Sequence, residues 1–77
     1  MNKLRREELM EVAGILDDVI CRLSDIQSDE QEYFDNMPEG FQYGARGDAA
    51  QEAIDLMDEW VSDIEEIKTN IEDYAGG

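Results

Sequence analysis

The sequence predicts an all-α protein, an antiparallel two-helix hairpin of coiled-coil type that dimerises into a four-helix bundle. Three observations predict it. Apolar residues step by three and four through both halves of the chain. Between the halves, Asp35–Asp48 holds the only proline together with Gly40, Gly44 and Gly47, the residues that stop a helix and let the backbone turn. Each apolar stripe is also wider than one facing helix can cover, which calls for a second hairpin. At 77 residues the chain is one domain near the lower limit for folding on its own core. Its expected layout is a helix over about 4–36, a loop over about 37–47 and a helix over about 48–74.

Residues 1–8 place Lys3, Arg5 and Arg6 at the positive end of a helix dipole, so fraying is expected there. From Leu9 the seam reads Leu9, Val12, Leu16, Val19, Leu23, Ile26, Tyr33 and Met37, with Glu30 the one exception. That is a heptad repeat. One position further round lies a second row of Ala13, Ile20 and Phe34, interrupted by Gln27. Pro38 ends the helix, because the residue before a proline is pushed out of the helical region.

The second helix is expected to begin with Asp48 as N-cap and Gln51 completing a capping box. Its seam is Ala50, Ala53, Met57, Trp60, Ile64, Ile67, Ile71 and Tyr74, and Lys68 continues a neighbouring row of Ile54 and Val61. Opposing the two seams leaves Ala13, Ile20, Phe34, Ile54 and Val61 along one flank. These five are the expected oligomer interface.

The charge is extreme. Twenty-one acidic and six basic side chains give a net charge of −15, which repels nucleic acid and anionic membrane and favours partners with basic surfaces. Solubility calls for a magnitude of only about 2 to 8 on a small domain. Carboxylates four and seven residues apart on a helix lie about 6 and 10.5 Å apart along its axis, so a rigid acidic rod could occupy a groove built for a duplex. The candidate partner-binding acidic face is Glu11, Asp18, Asp25, Asp29, Glu32, Glu52, Asp55, Glu59 and Glu66; the plainer reading of the same residues is a solvated surface.

In the turn, Phe41, Tyr43 and Arg46 combine aromatic and guanidinium groups as interface hot spots do, and form a second candidate partner-binding set. The plainer reading folds Met37, Phe41 and Tyr43 inward to plug the end of the bundle, with Arg46 neutralising Glu30 or a nearby carboxylate. Arg46-Gly47-Asp48 spells an adhesion tripeptide, but Asp48 is already explained as a cap. The twelve residues from Asp29 lack the alternating ligands and sixth-position glycine of a calcium loop. No histidine is present, which removes histidine catalysis and histidine-containing metal motifs. No catalytic, metal or cofactor site is therefore expected, and the protein reads as a non-enzyme. Cys21 is the lone cysteine, so no intramolecular disulfide can form and an intracellular, cytoplasmic location is expected. No apolar run is long enough to span a membrane.

Gln31-Glu32-Tyr33-Phe34-Asp35-Asn36-Met37-Pro38-Glu39-Gly40, followed by Gln42, Arg46-Gly47-Asp48 and Gln51-Glu52-Ala53-Ile54, resembles a group of small acidic bacteriophage and prophage proteins. The likeness covers the turn and its flanks. It implies a viral accessory protein acting in the host cytoplasm, and by analogy a DNA-mimic-like inhibitor of a host nucleic-acid-binding or antiviral-defence protein. The resulting expectation is an acidic inhibitor of a host protein with a basic surface. Alternatives are an interaction module working through the loop, and an oligomeric sponge that traps a small signalling nucleotide among copies of Arg46 or of Lys3, Arg5 and Arg6.

Overall fold

A computed structural model describes residues 1–76. Two long helices, α1 (Lys3–Asp35) and α3 (Ala45–Gly76), run antiparallel, joined through a single short turn of helix, α2 (Glu39–Gln42). The hairpin measures 58 × 14 × 13 Å between Cα atoms. The antiparallel register is fixed by two contacts along its length: Gln27 Nε2 donates to the Ile54 carbonyl at 3.0 Å, and Lys68 Nζ lies 3.5 Å from Asp17 Oδ1.

The N-terminus of α1 is better held than its charge suggests. Asn2 is the N-cap, and its side chain accepts from the Arg5 N–H at 2.9 Å, which satisfies one of the otherwise unpaired amides of the first turn. Lys3 and Arg6 also border a groove against Ala75, at the end of α3. There the cations offset the negative end of the partner helix dipole, and α1 is helical from Lys3.

At the turn, Pro38 adopts φ −56° and ψ 145°, leaves the helical region and presents its carbonyl to Phe41 N at 2.8 Å and Gln42 N at 3.2 Å. That nucleates α2 inside the stretch expected to be loop. Gln42 Nε2 then donates back to the Phe34 carbonyl at 3.0 Å, tying α2 to the end of α1. The second long helix starts at Ala45 rather than Asp48, since Asp48 N already donates to Gly44 O at 3.0 Å. Asp48 is thus a first-turn acid complementing the dipole. Gln51 donates to Asp55 Oδ1 at 3.0 Å and closes no capping box.

The seam differs in phase from the one read in the sequence. The shielded residues of the seam are Leu9, Ala13, Leu16, Ile20, Leu23, Gln27, Glu30 and Phe34 on α1 with Met37 just past its end, and Gly47, Ala50, Ile54, Met57, Val61, Ile64, Lys68, Ile71 and Ala75 on α3; Ser24, Ala53 and Glu72 beside it are also half-buried. Both steps alternate three and four without a break. Every seventh residue of the expected seam is retained, and the intervening row is replaced by its neighbour. Consequently the five residues expected to join two copies, Ala13, Ile20, Phe34, Ile54 and Val61, lie inside the hairpin. Ala13 and Ile54 are buried, and Ile20, Phe34 and Val61 are half-buried. Ala13 and Ile54 are covered by their own chain and so are closed to a second copy, and Ile20, Phe34 and Val61 are partly covered in the same seam.

Close approach explains the choice. The occupied seam carries its smallest residues at its ends: Ala13 and Ala50 are each 2% exposed, and Ala75 and Gly47 are also buried. The rejected row carries Tyr33, Trp60 and Tyr74, whose bulk would hold the helices apart and whose polar tips favour water. Gly47 is the tightest point. A Cβ there would fall 1.9 Å from the Gln42 carbonyl oxygen and 2.4 Å from its carbon, so only glycine lets α2 rest on the first turn of α3.

Opposite consequences follow for two glycines. Gly47→Ala must push backbone apart and should cost at least about 3 kcal/mol, whereas Gly14, with nothing within 4 Å of its would-be Cβ, should gain about 1 kcal/mol as alanine. Thermal unfolding followed by circular dichroism reads both; equal melting temperatures for the two variants would refute the packing argument at Gly47.

Candidate functional site: acidic edges, the turn and the open face

Two residues beyond each seam residue of the Leu9 and Ala50 series, about 200° round the helix, the side chain points directly away from the other helix. On α1 these positions are Glu11, Asp18, Asp25 and Glu32; on α3 they are Glu52, Glu59, Glu66 and Asp73. All eight are carboxylates and all are exposed. The hairpin therefore has two acidic edges facing opposite ways, each with a carboxylate about every 10.5 Å.

Seven of the nine acidic residues predicted from sequence fall on these edges, and Asp73 extends the second. Asp29 and Asp55 do not. Asp55 sits towards the polar broad face with its carboxylate accepting from Gln51. Asp29 lies on the other broad face, beside Ile26. Among the described residues the ion pairs involve only Lys68, with Asp17 at 3.5 Å and Glu72 at 3.7 Å, so the edge carboxylates are uncompensated.

The turn places its residues unequally. Phe41 and Arg46 share a small cleft of about 270 Å³ with Tyr33, Asn36, Met37 and Pro38. Tyr43 lies outside that cleft. Phe41 is 56% and Tyr43 79% exposed, so neither plugs the end of the hairpin; Met37, half-buried, takes that part alone. Arg46 makes no ion pair with Glu30 among the described residues. It stands at the opposite end of the molecule from Lys3, Arg5 and Arg6, so one chain cannot gather them into an anion site. Cys21 is exposed and free.

One surface was visible in the sequence as residues but not as a site. The displaced row, Val12, Val19, Ile26 and Tyr33 on α1 with Trp60, Ile67 and Tyr74 on α3, is exposed, and Ala53 between them is half-buried. Antiparallel helices turn in opposite senses when seen from one end. Rows with the same heptad phase therefore meet on one broad face, and Ile15 and Leu56 flank them there. The charges on that face are Arg5, Arg22 and Arg46 against Glu8, Asp29 and Asp63, a net of zero in a molecule of −15. Sequence periodicity could have found it only by deciding which of two adjacent apolar rows packs inward.

No helix among the described residues is long and apolar enough to cross a membrane. No protein-family model, curated protein or solved structure matches the chain.

Proposed function

We propose that the protein works by binding another protein rather than by catalysis, as an inhibitor whose acidic edges occupy the basic groove of a host nucleic-acid-binding or antiviral-defence protein. The observation that carries this reading is the pair of uncompensated carboxylate edges. A charge of −15 over 58 Å is one per about 4 Å, close to the 3.4 Å spacing of a single nucleic-acid strand. Long-range attraction of this kind raises association rates and is screened by salt. The viral resemblance of the turn motif makes the host cytoplasm the natural place of action. Self-association into a four-helix bundle belongs to the same proposal, since a lone hairpin leaves one broad apolar face in water.

The test is capture of partners by the tagged protein from nuclease-treated host lysate, with and without excess duplex DNA. Capture should fall at least about tenfold between 50 and 200 mM salt, and DNA should compete. Changing Glu52, Glu59 and Glu66 together to Gln should weaken capture without loss of helix by circular dichroism. A partner retained in high salt and in excess DNA would overturn the reading.

The turn offers a second reading, favoured by the cleft that Phe41 and Arg46 share. Under it, Phe41→Ala and Tyr43→Ala abolish capture while the glutamine variant binds normally. Under the acidic-edge reading the reverse holds. Both aromatic side chains are exposed, so either substitution should change stability by no more than about 0.5 kcal/mol, and lost capture cannot be put down to unfolding.

A further inference from the structure

We propose that a second copy of this chain docks on the broad apolar face marked by Val19, Ile26, Tyr33, Trp60, Ile67 and Tyr74, and that the resulting bundle is the form that presents duplex-like charge. The functional half rests on the role proposed for the acidic edges; the docking half stands without it.

Three observations select a second copy as the occupant. The apolar rows run about 32 Å, from Val12 to Tyr33 and from Ala53 to Tyr74, along a hairpin 14 Å wide between Cα atoms, a footprint of about 450 Å² for each copy, which a small pairwise interface buries per partner. Its net charge is zero, so the remaining surfaces carry the whole of the −15. Another copy is repelled everywhere except here, and a basic partner gains little here compared with the edges. Finally, the row stands one position from the seam on both helices. Two facing hairpins would place four identical three-row stripes around one core, with Tyr33 and Trp60 able to project into the space beside Val12, Val19 and Ala53.

The assembly also closes. On the far broad face the corresponding positions include Ser28, Asp58, Ser62 and Thr69, all exposed. With no second apolar face, growth stops at two copies.

Dimerisation changes the charge more than the shape. Hairpins stacked face to face keep the length of 58 Å while doubling the charge of −15, giving one negative charge per about 1.9 Å against about 1.7 Å for duplex DNA. Each side of the bundle then carries two acidic rows about 10 Å apart, the usual separation of packed helices. A single hairpin matches a single strand; the pair matches a duplex.

Sedimentation equilibrium of the full chain across a dilution series, with Trp60 emission recorded on the same samples, tests the docking. The expected result is a mass of twice 8.8 kDa that tightens in 1 M salt as repulsion is screened, with Trp60 emission shifting to the red as dilution gives monomer. Ile26→Asp with Ile67→Asp should lower the affinity at least a hundredfold. These side chains are 53% and 51% exposed in the hairpin, so the monomer should keep its helix; if it does not, the wild-type dilution series still decides. A wild-type monomer at 100 µM, an assembly larger than two, or a dimer indifferent to the aspartates would each overturn the docking. Failure of DNA to compete for a partner while the dimer persists would overturn only the functional half, because salt moves the two equilibria in opposite directions.

Discussion

Two parallel rods can shield only one stripe on each other, and everything else in this molecule is arranged around that limit. No large side chain among the described residues is fully buried. The core consists of Ala13, Ala50, Ile54, Met57 and Ala75 with Gly47, and the larger aliphatic residues of the seam remain half-exposed at its margins. Small residues at the ends of the seam draw the helices close and so strengthen what contact there is. The same closeness drives the bulkier row outward onto a face that the hairpin cannot cover.

A seam this thin needs its register fixed by something other than hydrophobicity, because a heptad repeat packs almost as well after a slip of seven residues. Polar groups within it supply the distinction. Gln27 reaches the Ile54 carbonyl, and Lys68 reaches across to Asp17 while also meeting Glu72 on its own helix. A polar side chain at one seam position commonly specifies register at some cost in stability. Lys68 is partly exposed, so its ion pairs contribute at most about 1 kcal/mol each, enough to discriminate among registers and too little to hold the hairpin together. At the turn, the Gln42 bond to Phe34 and the contact of Gln42 with Gly47 add a third fixed point.

These details show what the sequence could and could not convey. Helix, turn and antiparallel pairing follow from period and from Pro38, which are local properties. Phase does not. On each helix two apolar rows lie side by side, Val12 and Ala13 for example, and hydrophobicity ranks the larger row as the better core. Packing two bare rods inverts that ranking, since alanine allows an approach that valine, tyrosine and tryptophan prevent. The acidic edges survived the error because they lie opposite the seam and shift little with its phase. The interface residues did not, because a displacement of one position exchanges inside for outside. The start of α3 was misplaced for a different reason: Asp48 has the chemistry of a cap, but Gly47 is helical and lies under Gln42, a backbone contact within the turn that side-chain chemistry does not reveal.

Cohesion and charge are then kept on separate surfaces. Had the carboxylates been spread evenly, the broad face would carry a third or so of them, and a second copy would meet repulsion where it needs burial. Instead the face is nearly neutral, and the excess is divided between the edges and the far broad face, where residues such as Asp17, Asp55, Asp58 and Glu65 lie. A seven-residue repeat makes this possible with few exceptions, since one heptad position can be acidic throughout both helices while another is apolar throughout. The arrangement also explains why a net charge well beyond the needs of solubility is tolerated by so thin a core: the edge carboxylates of one helix point away from those of the other, with the width of the hairpin between them and water on every side. Repulsion that would open a compact globule is here directed outward, along the axis that a basic groove would meet first.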